Sequence, residues 1–141
     1  MMDPETFEAL PPMNWIGDPS VLSERLNAIF CSQKCPAELI LKGYDLARIF
    51  RDIPINVVGG FHSAIERDLL PIFLNGKGRI VLGIARYLPN YKIPSEFQGP
   101  IKEGRLLLIS PYYRPNENRI TNATVAARNA LIVQIAARVV F

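Results

Sequence analysis

An α/β fold, with helices packed against a mostly parallel sheet of about five strands, is what this sequence predicts. Three observations carry that expectation. Short apolar runs alternate with helical patterns along the 141 residues, which is the order of βαβ units and parallel strands. The run Asn56-Val57-Val58 stops at the pair Gly59-Gly60 and a helix start follows at once, as in a strand, a tight turn and a helix N-terminus. The last run, Arg138-Val139-Val140-Phe141, is apolar without alternation, as buried parallel strands are.

Composition sets the frame. The chain is long enough for one domain with a real core and too short for two. It is 49% apolar and 21% charged, as a globular protein is. No apolar run approaches the roughly 20 residues that span a bilayer. The opening Met1-Met2-Asp3-Pro4-Glu5 bears acids where a secretory signal would bear Lys or Arg, so no membrane partner, no export signal and a cytoplasmic location are expected. Cys31 and Cys35 are the only cysteines and His62 the only histidine. They cannot supply the four ligands of a structural zinc, so reduced thiols, no metal and no cofactor are expected. Cys35, at a helix start, would have some thiolate character.

The net charge of +3 is unevenly spread. Residues 1 to 35 hold five acids and two bases, while the rest holds 14 bases and 8 acids. A basic body with an acidic leader suits a polyanionic partner.

Residues 1–20, with Pro4, Pro11, Pro12, Pro19 and Gly17, read as an irregular arm anchored by Phe7, Leu10, Met13, Trp15 and Ile16. Residues 21–141 read as a single domain. A helical turn over Val21–Arg25 leads into a first strand at Leu26–Phe30. Pro36 then opens an amphipathic helix to about Arg51, in which Leu39, Ile40, Tyr44, Leu46, Ala47 and Phe50 recur at helical spacing. The second strand is Ile55–Val58. Ser63 and Glu66 have the spacing of a reciprocal helix cap, so a helix runs over Ala64–Asn75. Pro71 should kink or break it near Arg67–Leu70, and Gly76 should end it in the left-handed conformation. Arg79–Ile84 is the third strand. Pro94-Ser95-Glu96-Phe97 allows at most a short helix before Gly99-Pro100, and Leu106–Ser110 is the fourth strand. Thr121 or Asn122 caps a helix to about Ala136, and Arg138–Phe141 is the fifth strand. An apolar strand at that position leads us to expect a domain completed by further chain or by another molecule.

Ligands of open parallel sheets bind beyond the carboxyl ends of the strands. The segments there are Cys31–Lys34, Gly59–Ser63, Ala85–Tyr87 and Pro111–Arg119, which puts Lys34, His62, Arg86, Arg114 and Arg119 along one rim. Glu117 is the one acid among them. Phe61, Tyr87, Tyr112 and Tyr113 would interleave aromatic faces on which unpaired bases stack. The glycine pair and the helix N-terminus behind it form an anion site or, with no ligand, a tight strand-to-helix connection. Catalytic patterns are thin. Ser63 serves as a cap, so His62 beside it is a phosphate donor before it is a general base. Paired carboxylates, a Walker loop and a complete Gly-x-Gly-x-x-Gly fingerprint are absent from the sequence.

The residues also carry a family likeness. Ile16-Gly17-Asp18-Pro19 with Val21-Leu22, and then Ile29-Phe30-Cys31-Ser32, resemble the approach to the first strand and its Gly-Ser-Arg turn in the DNA-processing protein A (Smf) family. Val57 through Ser63 resembles that family's second strand and glycine turn. Ala85-Arg86, Ile93-Pro94, Gly104 through Pro111, and Ala127-Arg128-Asn129 ahead of Val139-Val140 continue the likeness to Phe141. The resemblance implies a Rossmann-like three-layer domain that binds single-stranded DNA and, in full-length members of the family, helps load a strand-exchange recombinase during transformation. It carries over contacts at Ser32, Lys34, Gly59, Gly60, Phe61, Arg86, Arg128 and Asn129. Gln33 departs from the family's arginine, and His62-Ser63 from its usual continuation.

Three functions are therefore expected to compete. The first is a non-catalytic binder of single-stranded DNA or nucleotide phosphate at Ser32, Lys34, Gly59, Gly60, Phe61, His62, Ser63, Arg86, Arg128 and Asn129. The second is a nucleotide-binding enzyme resembling the Rossmann-like phosphoribohydrolases, whose Pro-Gly-Gly-x-Gly-Thr segment is missing. The third is a scaffold completed by a partner or by a second copy.

Overall fold

The computed structural model describes residues 13–29, 41, 44, 45, 48, 49, 52, 54–111, 120–136 and 138–140. Six strands form one sheet: β1 (Asn14–Ile16), β2 (Leu26–Ile29), β3 (Asn56–Gly59), β4 (Ile80–Gly83), β5 (Leu106–Ser110) and β6 (Arg138–Val140). Three α-helices are described along their length: α1 (Ala64–Leu74), α2 (Ser95–Lys102) and α3 (Asn122–Ile135). A 3-10 turn over Pro19–Ser23, capped by the Asp18 side chain, leads into β2.

The strand order is β1-β5-β4-β3-β2-β6. The sheet is mixed and six-stranded, where the sequence predicts about five mostly parallel strands: four pairings are parallel, and β1, which the sequence reading places in the arm, runs antiparallel to β5 with Trp15 opposite Ile109. From β2 the chain steps across neighbouring strands to β5, with α1 and α2 as its last two crossovers. Then α3 carries it back to the far side of β2, where β6 pairs. Between β2 and β6 the strand order reverses, and such reversals open a crevice at the carboxyl ends.

The core lies on both faces of this sheet. Alternate residues of one strand point to opposite sides, so Ile80 and Leu82 of β4 join one cluster and Val81 the other. In β5, Leu106 and Leu108 separate from Leu107 and Ile109 in the same way. The first cluster holds Leu69, Leu70 and Phe73 of α1 and Phe97 of α2, and the second holds Leu131 and Ile132 of α3. Apolar cover on both sides is why these strands read as unbroken apolar runs.

Four expectations need correction. The arm is not irregular at residues 14–16, because these residues form the sheet edge β1, with Met13 buried and Ile16 packed on the core beside it. Three residues framed by prolines are too short to show a period. Pro71 does not break α1, which is continuous to Leu74. The missing amide forfeits one bond, but Leu69, Leu70 and Phe73 hold the turns on either side against the sheet. Gly76 is not left-handed, and α1 ends at Asn75 with φ −85°. There the Arg105 guanidinium donates to the free carbonyls of Leu74 (3.0 Å) and Gly76, which does the work of a glycine cap. Finally, α2 runs through Gly99-Pro100 to Lys102, and Gly104 (φ +74°) ends it.

Of the helix expected over residues 36–51, the described positions 41, 44, 45, 48 and 49 are helical, as is 52 just beyond it. Cys31 and Cys35 lie outside the described residues. Among the described residues, no helix is long and apolar enough to cross a membrane.

Candidate functional site

The site forms where β3 and β4 end, because the side chain of Arg128 reaches there from α3. A β-carbon on Gly60 would overlap the Arg128 guanidinium, and one on Gly83 would come within 3.0 Å of its Cδ. Each glycine therefore leaves the room that the arginine fills, and Gly60 has no left-handed backbone to explain its type. Arg128 is 5% exposed. A charge so buried requires partners, and its Nε donates to Asn129 Oδ1 at 2.8 Å.

Phe61 is the residue in the left-handed region, at φ +46°. A phenylalanine there is strained by about 1–2 kcal/mol. The burial of its ring holds it in place: the ring is 5% exposed and meets Phe73 edge-on at 6.1 Å. Phe61 is thus a core anchor for the turn, and its face is not the open stacking surface expected from the sequence.

The cap of α1 also differs from expectation. Ser63 Oγ accepts from the Glu66 amide at 3.3 Å, as the spacing predicts. The Glu66 carboxylate, however, accepts from the Ser63 hydroxyl at 3.0 Å and, at a long 3.4 Å, from the His62 amide. Glu66 is 7% exposed, so a fixed negative charge already sits at the positive end of the helix. A phosphate directly on these amides would face that carboxylate. The anion-attracting groups of this rim are its arginines.

Arg86 stands at the end of β4. Its carbonyl accepts from Ser110 Oγ at 2.8 Å, which fixes the loop to the end of β5. Its guanidinium carbon lies 5.0 Å from the centre of the Tyr91 ring, a cation–π contact. Burial raises the Tyr91 hydroxyl pKa; Arg86 opposes that rise and Glu96 adds to it. Among the described residues neither Arg86 nor Arg67 makes an ion pair.

These groups surround one cavity of about 270 Å³, lined by Gly60, Phe61, His62, Gly83, Arg86, Tyr91 and Arg128, with Arg67 on its α1 side. Three arginines and no carboxylate contribute to its wall. Its size is at the small end of ligand sites. A phosphate with part of a sugar or base is of that size.

Of the residues named from the sequence, Gly60, Phe61, His62, Arg86 and Arg128 meet at this cavity. Asn129 supports Arg128 from behind. Gly59 is buried at the end of β3, its α-carbon side turned to the Ile29 carbonyl, and Ser63 is consumed as a cap. Tyr87 is half-buried beside Arg86 in sequence. Ser32, Lys34, Tyr112, Tyr113, Arg114 and Arg119 lie outside the described residues. Sequence reasoning missed Arg67 and Tyr91. The signal for Arg67 was its place one turn past the Ser63 cap, and for Tyr91 the short connection Tyr87-Leu88-Pro89-Asn90-Tyr91, which folds as a 3-10 turn on buried Leu88.

No protein-family model matches the sequence, nor does any curated protein. Solved structures do match the fold. DNA processing protein A (DprA) from Streptococcus pneumoniae is 18% identical with a TM-score of 0.67, over 90% of this chain and 44% of that one. DNA processing protein A from Helicobacter pylori is 18% identical with a TM-score of 0.68, over 99% of this chain and 65% of that one. The latter structure is described as showing a unique single-stranded DNA binding mode. This chain thus has a DprA-like Rossmann fold and spans less than two thirds of either protein.

Proposed function

We propose that this chain is a non-catalytic, three-layer Rossmann-like module that binds single-stranded DNA by its sugar-phosphate backbone. The observation that carries the reading is the cavity at the ends of β3 and β4, walled by Arg67, Arg86 and Arg128 and by no carboxylate. Guanidinium groups are the side chains best suited to phosphate oxygens. The fold likeness to a protein described as binding single-stranded DNA supports the same ligand. Ser32 and Lys34, which follow β2 in the sequence, are further phosphate contacts in this reading, and residues 21–141 with β1 form its single domain. Its setting would be cytoplasmic DNA uptake and recombination, with a strand-exchange recombinase and a second copy of the chain as partners.

A nucleotide-binding enzyme is the second reading, favoured by the small size of the cavity, which suits one nucleotide. Titration of a labelled oligonucleotide and of mononucleotides side by side, at about 50 and 200 mM salt, separates the two. Each phosphate neutralised contributes roughly 0.7 to the salt exponent for single strands. Three contacts therefore weaken binding about 20-fold over that range. Arg86→Ala should reduce the slope and weaken the oligonucleotide several-fold. Oligonucleotide affinity indifferent to salt, or tight binding of one mononucleotide with none of the strand, would contradict the proposal.

A further inference from the structure

We infer that the arginine-walled cavity takes the phosphorylated end of a strand, a terminal phosphate monoester, in preference to a phosphate within the strand. The inference rests on the proposed phosphate reading of the same site and names which phosphate enters it. Size is the first reason. The cavity of about 270 Å³ has room for one phosphate and part of one nucleoside. A phosphate within a strand brings a nucleoside on each side, whereas a terminal one brings a single neighbour, which can stay at the mouth.

Depth and charge point the same way. Arg67 is exposed, Arg86 is half-buried and Arg128 is 5% exposed, so the cationic wall runs from the surface inward. A strand lying along the surface presents its phosphates to Arg67, while a group that also reaches Arg128 has to descend end-on. Arg86 adds an independent sign: its Nε is buried without a hydrogen-bond partner, while the Tyr91 ring lies 5.0 Å from its guanidinium carbon. A buried donor left without an acceptor is costly, and a phosphate oxygen is the acceptor that a ligand of this cavity brings. Three arginines and no carboxylate line the wall. Glu66, which is not among the lining residues, accepts from the Ser63 hydroxyl and the His62 amide. A diester within a strand carries one negative charge. A monoester carries about −1.5 to −2 near pH 7 and has three acceptor oxygens. It therefore balances the three arginines more closely and gives their N–H groups one more acceptor.

The test uses the full chain and oligo-dT in four forms: with a 5′-phosphate, with a 3′-phosphate, with hydroxyl ends, and closed into a circle. The hydroxyl-ended strand is made one nucleotide longer, so that all four have the same number of phosphates. At least one phosphorylated end should bind about tenfold tighter than the hydroxyl-ended strand and the circle, the gain from one charge-assisted hydrogen bond. The preferred end then gives the direction of the strand. Arg86→Ala should bring that ratio to about one, while Arg67→Ala, at the exposed mouth, should weaken all four forms and leave the ratio in place. Equal binding of the four by the wild type, which needs no variant to decide, or a ratio that survives Arg86→Ala, overturns the inference. If all four bind alike in a salt- and Arg86-dependent way, the strand reading stands and the end inference fails. If thymidine 5′- or 3′-monophosphate binds through Arg86 but no strand does, the monoester preference stands and the strand reading fails. Binding of no probe at all sinks both.

Discussion

Gly60 has no side chain because Arg128 occupies the space that one would need. Gly60→Ala should displace a buried, hydrogen-bonded guanidinium, lower stability by about 1–3 kcal/mol and weaken oligonucleotide binding. Gly99→Ala is a contrast: beyond its chain neighbours its β-carbon would meet nothing within 4 Å, while Pro100, which follows it inside α2, disfavours a β-carbon on the helical residue before it. The helix gain of about 0.5–1 kcal/mol for Gly→Ala is offset there by the pre-proline clash, so thermal melts should show a much smaller change for Gly99→Ala than the loss for Gly60→Ala. Phe61 sets two effects against each other. Phe61→Asn relieves about 1 kcal/mol of left-handed strain but removes a buried ring worth about 3–5 kcal/mol, so it should destabilise by roughly 2–4 kcal/mol in denaturant titration. Tyr91 gives a pH dependence. Burial raises its pKa above the ordinary 10.0, so the folded state holds the proton longer than the unfolded one. Its contribution is complete below about pH 10 and is lost as pH climbs through the raised value. Stability measured up to about pH 11 should fall less steeply in Tyr91→Phe than in the wild type.

The helices differ in what holds them. α3 begins with a true reciprocal cap: Thr121 Oγ1 accepts from the Thr124 amide at 3.1 Å, and Thr124 Oγ1 accepts from the Thr121 amide at 2.7 Å. Thr121→Ala should cost about 1 kcal/mol in thermal unfolding. Because α3 also carries Arg128, fraying of its first turns should weaken strand binding as well. The bounds of α3 were legible because capping residues and an apolar helical pattern agree there. β5 was legible because five residues buried on both faces leave an uninterrupted apolar run. α1 was legible in extent but not in its details. Pro71 and Gly76 are strong local signals, and tertiary packing in one case and the Arg105 side chain in the other override them. β1 could not be read, since its place depends on pairing with a strand more than 90 residues later.

At the scale of the molecule, the order of strands decides which distant residues become neighbours. The rim at Gly59–Ser63 and Arg86 could be read from the sequence, because loops after parallel strands share one edge of a sheet. Arg128 could not be read from spacing. It lies mid-helix, and only the return of α3 across the sheet brings it over Gly60 and Gly83, so its place in the site came from family resemblance alone. Arg67 and Tyr91 belong to crossovers whose path depends on how α1 and α2 pack, and the rest of the candidate site shows why: its walls come from β3, β4, α1 and α3 together. A crystal structure of the chain with a short single-stranded oligonucleotide tests the account most directly. A backbone phosphate is expected within hydrogen-bond distance of Arg86 and Arg128, at the carboxyl ends of β3 and β4. A strand lying elsewhere, with that cavity empty or filled by protein side chains, would contradict it.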